Sequence, residues 1–364
     1  MAMLLNDIAW DEQIVPAVPD PAWEAEARRR RGMSAVGDRL VAPLPWLREF
    51  CLYATTFQAT AMPVRLINFG AMVTSQENAC RYCYGVQRAF LKILGYSEDF
   101  IDKLEREMHL AELDDAERAF LRFCRSLARS RPRPARAERD ALVAAGYSPL
   151  AVNEMALMIA LFCFYNRIGV LTACPPEKGI EGAAGGVLGR VLRLVSPLLR
   201  RVAASRQRGV ATADDDAATL AQSPFGRILV PLAGLPGASH FRRALEGAFA
   251  SPALSREVKG LMFAVVARTL DCSHCEAESR ALLDGFGIGA DEFETIVATL
   301  DAPRLGPGEA SLLSWVRDTV HYQTGPVQAH TRAVLAQLPP QAGLEAIGIA
   351  SLANGTVRLA MLLE

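Results

Sequence analysis

Apolar residues recur at helical spacing through most of this chain. In the segment 81–95 they stand three and four positions apart, and Gly95 is placed to end a helix. The segments 154–171 and 345–363 are apolar on nearly every face, which is typical of helices buried in a core. Alternating β-branched runs bounded by turn residues, which would indicate strands, are absent from the sequence. The pattern therefore predicts an all-α fold built as a helical bundle.

The helical pattern occurs twice. VAPLPWLREF at 41–50 has a counterpart, LAGLPGASHF, at 232–241, which lies 191 residues later. Further pairs of landmarks keep almost the same separation: Cys80 and Cys272, Glu117 and Glu309, Glu154 and Glu345, and Arg167 and Arg358. We interpret this as an internal duplication of residues 41–174 and 232–364. The two helical-bundle repeats are expected to pack together about a pseudo-twofold axis.

Two segments lie outside the duplicated halves. Residues 1–40 form a polar, proline-punctuated arm with one short helix predicted around Trp23–Arg31. Residues 175–231 join the halves and contain a basic amphipathic helix at 185–208, followed by a small, polar stretch that predicts a mobile linker. We interpret the basic helix as covering the bundle with its arginines outward; contact with a membrane surface is the alternative.

Composition narrows the class of protein. The chain is 51% hydrophobic and 22% charged, with a formal net charge of −1, which favours a soluble globular protein and gives no reason to expect nucleic-acid binding. No run of 18 uncharged apolar residues occurs, so no membrane span is predicted. The start MAMLLNDIAWDE does not resemble a signal peptide, and together with eight cysteines it predicts a cytoplasmic protein.

Two C-x-x-C pairs carry the candidate chemistry. Cys80 and Cys83 open one predicted helix, and Cys272 and Cys275 open its counterpart. Residues three apart share a helix face, so each pair of sulfurs can form a disulfide or bind one metal ion. The positive end of the helix dipole also favours a thiolate in the first turn. A redox dithiol is our interpretation, with structural thiols or a zinc site, including one zinc between both pairs, as alternatives.

The remaining cysteines and histidines are not candidates for catalysis. Four cysteines stand in apolar helices or beside prolines and are predicted to be small core residues: Cys51, Cys124, Cys163 and Cys174. Four histidines lack the spacing of metal ligands: His109, His240, His321 and His330. Arg167 and Arg358 are expected to pair with a buried carboxylate such as Glu154 or Glu117, or to help order the redox site.

The motifs NACRYCYGVQRAFLKILGYS (78–97), LDDAERAFLRFCRSLA (113–128) and ALFCFYNR (160–167) resemble the carboxymuconolactone decarboxylase superfamily, nearest its alkylhydroperoxidase D (AhpD-like) branch. RTLDCSHCEAESRALLDGFG and LANGTVRL in the second half resemble it more weakly. The resemblance implies an all-α homo-oligomer that reduces a small-molecule peroxide through a dithiol. An external thiol or dithiol would then reduce the disulfide, with no organic cofactor and no metal.

The resemblance also assigns roles to the cysteines. By position Cys83 would attack the peroxide and Cys80 would resolve the sulfenic acid, with Cys275 and Cys272 as the same pair in the second half. Family peroxidases carry a glutamate 12 residues before the first cysteine and a histidine four after the second. This chain has Asn68 and Gln87 at those positions in the first half, and neither side chain is a base near neutral pH.

In the family this glutamate and histidine form a proton relay that activates the thiol, and we call their positions the relay positions. The second half lacks both residues too, with Gly260 and Ser279 at its relay positions. Candidate substitutes for the missing base are Glu77, His274, Glu276 and Glu278. His274 could hold a neighbouring thiolate as an ion pair. The carboxylates near it, including Asp271, would instead raise the pKa of a thiol.

We therefore predict a thiol-dependent, peroxidase-like oxidoreductase whose activity is weak or specific for one substrate. The candidate site residues are Cys80, Cys83, Gln87, Cys272, His274 and Cys275. Lactone decarboxylation ranks lower, because that chemistry uses a site without this C-x-x-C. A non-catalytic duplicated scaffold that binds a ligand or partner, and a specialised biosynthetic oxidase, remain the alternatives.

Overall fold

A computed structural model of the chain describes residues 3–129, 136–183, 195–210, 215–321 and 323–363. These residues form helices joined by turns and by irregular stretches such as residues 8–20. The β-type pairing among them is one isolated bridge between Ala59 and Arg208. The predicted all-α fold is confirmed.

The helices divide into four groups along the chain. The arm contains α1 (Pro21–Arg31) and α2 (Gly37–Val41). The first half contains α3 (Pro45–Thr55), α4 (Arg65–Glu77), α5 (Arg81–Ile93), α6 (Glu98–Arg106), α7 (Asp115–Arg129), α8 (Arg136–Ala144) and α9 (Pro149–Leu171). The connection contains α10 (Lys178–Ala183), α11 (Ser196–Arg206) and α12 (Ala217–Ala221). The second half contains α13 (Pro236–Ala250), α14 (Arg256–Thr269), α15 (Ser273–Asp284), α16 (Ala290–Thr299), α17 (Pro307–Asp318), α18 (Thr324–Leu335) and α19 (Pro340–Leu359). Short 3₁₀ segments occur at Leu5–Asp7, Met108–Leu110, Gly226–Leu232 and Ala360–Leu363.

The core is built around α9 and α19, which pack against each other. The Ser148 hydroxyl accepts a hydrogen bond from Ala151 N and caps the start of α9. Gly355 on α19 permits close approach, because a β-carbon there would lie 2.9 Å from Ala160 O. By length and hydropathy, Pro149–Leu171 and Pro340–Leu363 could each cross a membrane, yet 94% of each apolar window is buried inside the protein. They are therefore only weak evidence of a membrane span.

Two buried arginines connect the halves reciprocally. Arg167 Nη2 donates to Val320 O over 3.2 Å, and Arg358 Nε donates to Ala128 O over 3.2 Å. Each arginine lies on the last helix of one half and reaches the end of α7 or α17 in the other. Reciprocal contacts of this kind are what packing across a twofold axis produces. Superposition of the halves about such an axis remains a prediction.

Glu154, which the sequence offered as a partner for Arg167, accepts hydrogen bonds from backbone N–H groups instead. Glu154 is buried, and its carboxylate accepts hydrogen bonds from Thr60 N, Ala61 N and Met62 N at 2.6–2.8 Å. It therefore fixes the turn between α3 and α4.

The arm and the connection both pack on the bundle. Trp23 and Ala27 of α1 form a small apolar cluster with Ala42 and Leu52. In the stretch read from its composition as a mobile linker, Leu220 is fully buried among core residues. Leu220 therefore packs the described residues 215–224 of this stretch against the core. Part of the predicted basic helix, residues 184–194, and residues 211–214 lie outside the described part of the chain.

His240 makes the stability of the α3–α13 contact dependent on pH. Its ring stacks on Tyr53 with 3.9 Å between centroids. Burial, with smaller contributions from Arg243 and Arg30, lowers the pKa of His240 to about 4. The folded state then favours the neutral ring, so its stabilisation is complete above about pH 6.5 and is lost as pH falls toward 4.

We expect the free energy of unfolding, measured with urea, to fall between pH 6.5 and pH 4.5. In His240→Phe, which keeps a ring against Tyr53 but cannot be protonated, the fall should be smaller. Equal slopes in the two proteins would show that another group controls this window.

Candidate functional site

Cys80 completes the C-terminal turn of α4 and caps the N-terminus of α5. At the end of α4 the chain turns through Ala79, which has a left-handed φ of 50°, and Cys80 N donates to Ser75 O over 3.1 Å. Cys80 is also the N-cap of α5, where its sulfur accepts a hydrogen bond from Cys83 N over 3.3 Å. Two hydrogen-bonded turns therefore fix the first thiol at the N-terminus of α5.

The two sulfurs of this pair converge on the core helix α9. A β-carbon at Gly169 would lie 2.8 Å from Cys80 Sγ and 3.2 Å from Cys83 Sγ. A side chain at this position would displace one or both sulfurs, so the glycine makes the space that they occupy. We call Cys80, Cys83 and Gly169 the first site.

The two thiols of the first site have different hydrogen-bond surroundings. Both are buried. Burial raises the pKa of Cys83 well above its ordinary value, and the hydrogen bond and charge of Cys80 raise it further. The Cys80 sulfur accepts a backbone N–H at a helix N-terminus, a contact that stabilises a thiolate. The backbone hydrogen bond thus falls on Cys80, whereas the family resemblance assigns the attack on the peroxide to Cys83.

The N-terminal arm closes a narrow cavity against the first site. The cavity, of about 10 Å³, has room for roughly one water molecule. Its wall includes Gly169 and residues that sequence reasoning did not assign to the site: Arg31, Asp38, Cys51, Tyr82, Tyr165 and Cys174. Burial raises the pKa of both Tyr82 and Tyr165, so both phenols stay neutral.

A buried ion pair within the arm borders this cavity. Arg31 Nη1 donates to Asp38 Oδ1 over 3.0 Å, and Arg31 Nη2 makes a short contact with Asp38 Oδ2. Arg31 Nη1 also reaches Thr55 Oγ1 on α3 at 3.4 Å. Elsewhere on the arm, Trp10 Nε1 donates to Cys174 O over 3.1 Å. These contacts fasten the arm over the end of α9.

Charged residues near the first cysteine pair form ion pairs with other charged side chains and not with the thiols. Arg81 pairs with Glu181 of α10 at 3.1 Å. Gly85 leaves room for that carboxylate, since a β-carbon there would lie 2.3 Å from Glu181 Oε1. Glu77, a proposed substitute base, forms ion pairs with Arg125 and Arg129. These pairings support the helix packing around the thiols.

The relay positions of the first half are amides. Asn68 and Gln207 exchange two amide hydrogen bonds, of 3.2 and 3.5 Å, between α4 and the end of α11. Gln87 is half-buried on α5, one turn after Cys83. Asn68 therefore holds the connection between the halves against α4.

The second pair repeats the backbone arrangement of the first. Cys272 N donates to Ala267 O over 2.9 Å after Asp271, which has a φ of 58°. Cys275 N donates to Cys272 Sγ over 3.4 Å, and both cysteines are buried. His274, which stands between them in the sequence, is exposed to solvent.

In the second half the two relay positions hold Gly260 and Ser279, which make packing and backbone contacts. A β-carbon at Gly260 would lie 2.9 Å from Leu283 Cδ2, so a larger residue there would displace leucine. The Ser279 hydroxyl donates to Cys275 O over 2.8 Å. Glu276 pairs with Arg268 at 2.6 Å, and burial raises the pKa of Glu278. Neither relay position of the second half therefore holds a residue that could act as a base.

The other candidate groups lie in the core or at helix surfaces. Burial raises the pKa of Cys51, Cys124 and Cys174. Cys163 Sγ accepts a hydrogen bond from Asn78 Nδ2 over 3.4 Å. Within the described ranges, no three or more histidine, cysteine, aspartate or glutamate side chains are grouped so that they could hold a metal ion.

Comparison with known proteins gave no match: no family model, no curated protein and no solved structure was found to be similar to this chain. The function is therefore argued from the two cysteine pairs and their surroundings.

Proposed function

We propose that this protein is a thiol–disulfide oxidoreductase whose first site cycles between a dithiol and a Cys80–Cys83 disulfide. The observation that carries the proposal is the convergence of both sulfurs over Gly169 at the first turn of α5. Neighbouring sulfurs at a helix N-terminus, one of them accepting a backbone N–H, are arranged for thiolate formation and for closure of a disulfide.

The proposed oxidant is a small peroxide. The Cys80 thiolate attacks the peroxide oxygen, the O–O bond breaks, and an alcohol or water leaves with a proton. The sulfenic acid then condenses with the Cys83 thiol, which forms the S–S bond and releases water. An external thiol or dithiol returns two electrons and restores both thiols. No organic cofactor or metal takes part.

We expect turnover to be slow or confined to one substrate. A positioned general base is worth on the order of 10²–10⁴-fold in rate, and this chain has Asn68 and Gln87 at the relay positions. The arm also lines a cavity beside Gly169 that has room for about one water, which leaves little space for a substrate on that side of the first site. Both features limit activity toward generic alkyl hydroperoxides.

The two cysteine pairs are proposed to be unequal. The first is covered by the arm beside a small cavity, whereas the helix of the second borders a surface pocket of about 600 Å³ lined by Asp271, Ser273 and Glu276. The relay positions of the second pair hold a glycine packed against leucine and a serine bonded to backbone. We assign the redox cycle to Cys80 and Cys83. Assignment to the AhpD-like family, homo-oligomer assembly and a cytoplasmic location belong to the same proposal and rest on the sequence.

The test compares the two pairs by the same substitution. After one equivalent of hydrogen peroxide and rapid alkylation, peptide mapping of the full-length protein should find a Cys80–Cys83 disulfide that a dithiol reverses. Cys80→Ser should abolish peroxide consumption, while Cys272→Ser should retain most of it.

Two outcomes would contradict the proposal. If Cys80 and Cys83 are fully alkylated after the pulse, the buried thiols are structural and the non-catalytic scaffold is the better account. If one equivalent of zinc is bound per chain and is lost in Cys80→Ser, the pair is a metal site instead.

A further inference from the structure

We propose that Cys174 is a third redox thiol of the first site, so that Cys80 can form a disulfide with either Cys83 or Cys174. The inference rests on the proposed dithiol function and extends it to a cysteine that the sequence placed among small core residues.

The end of α9 brings Cys174 back toward the first site. Ala173 has a left-handed φ of 48°, and Cys174 N donates to Gly169 O over 2.9 Å. In this C-terminal motif the residue after the left-handed position frequently packs against the last turn of the helix, here Ile168 and Gly169. The sulfurs of Cys80 and Cys83 converge over the same Gly169. The three cysteines therefore lie at the same end of α9.

The surroundings of Cys174 agree with this placement. Cys174 and Gly169 border the same cavity, with Tyr82 beside them. Burial raises the pKa of Cys174, and the charge of Cys80 is the next largest cause. The charge of Cys174 in turn raises the pKa of Cys83. These charge effects agree with three thiols that lie near one another at the end of α9.

The exchange needs no further oxidant or reductant. The Cys174 thiolate attacks Cys80 Sγ of the Cys80–Cys83 disulfide. The Cys80–Cys174 bond forms as the Cys80–Cys83 bond breaks, and Cys83 leaves as a thiolate that takes up the proton released by Cys174. Because burial raises the pKa of both the attacking and the leaving thiol, we expect the exchange to take minutes to hours.

The second half supplies a matched control within the same chain. Beyond Cys272 and Cys275 it contains no cysteine, so its pair has no third thiol from the same half. The corresponding serine substitution in each pair therefore separates the effect of Cys174 from the general behaviour of a buried C-x-x-C.

The decisive variant is Cys83→Ser, studied as the full-length protein. After one equivalent of hydrogen peroxide and alkylation, peptide mapping should find a Cys80–Cys174 disulfide in most molecules. Cys275→Ser, treated in the same way, should form no intramolecular disulfide at Cys272. A Cys80 that becomes a sulfinic acid or an intermolecular dimer, with Cys174 fully alkylated, would overturn the inference.

A second measurement does not depend on the folding of that variant. Oxidised wild-type protein, held for several hours without reductant, should accumulate the Cys80–Cys174 peptide pair at the expense of Cys80–Cys83. Cys174→Ala should keep Cys80–Cys83 unchanged over the same period. A wild type that forms only Cys80–Cys83 refutes the role of Cys174 alone. A wild type in which Cys80 is never oxidised refutes the dithiol function as well.

Discussion

Replacing Asp38 with alanine is expected to raise the alkylation rate of the first-site thiols about 100-fold or more. Asp38 and Arg31 are only 8% and 10% exposed, and their pairing closes the arm over the cavity that borders Gly169 of the first site. Removing one partner of a buried ion pair costs about 3–5 kcal/mol, because the other charge is left buried without compensation. Each 1.4 kcal/mol is roughly a tenfold change in the population of the open arm.

The measurement is the rate at which each cysteine is alkylated under native conditions, followed by mass spectrometry. Cys272 and Cys275 are the internal reference, because they lie in the other half and should keep the wild-type rate. Glu24→Ala is the matched variant: it breaks an ion pair with Arg39, which is 52% exposed, and should change little. An equal increase at both cysteine pairs would mean global unfolding, and no increase at the first would show that the arm does not control access.

Lys259→Met is expected to lower the free energy of unfolding by about 3–5 kcal/mol, a large share of the 5–15 kcal/mol typical of a folded protein. Lys259 and Glu345 are both fully buried, with 2.5 Å between Nζ and Oε1. Lys259 Nζ also donates to Ala248 O and Ser251 O. The substitution leaves the Glu345 carboxylate in the core with the Ser251 hydroxyl as its hydrogen-bond donor.

The double variant Lys259→Met with Glu345→Leu separates the loss of charge pairing from the loss of packing. Apolar residues of similar size often replace a buried ion pair at little cost, so the double variant should recover most of the stability. Denaturant midpoints at neutral pH measure both effects. A double variant as unstable as the single one would show that the hydrogen bonds of the lysine to backbone carbonyls, and not its charge, hold α13 to α14.

The sequence by itself determined the features that depend on local spacing. Periodicity gave the helices, and a cysteine pair placed before an apolar helix gave the position of the thiols in the first turn of α5 and α15. Matched landmarks predicted two halves with the same helix order, and each half contains seven α-helices in the described residues, α3 to α9 and α13 to α19. These features are readable because the residues involved are neighbours in the chain or repeat at a constant interval.

The tertiary structure alone decided what each thiol faces. Periodicity shows which side of a helix is buried but not which distant segment covers it. Gly169 lies 89 residues after Cys80, and its missing side chain becomes meaningful only once α9 crosses the start of α5. The contacts of Asn68 with Gln207, and of Lys259 with Glu345, likewise depend on how remote segments pack, because a buried polar group takes whichever partner the fold brings within hydrogen-bonding distance.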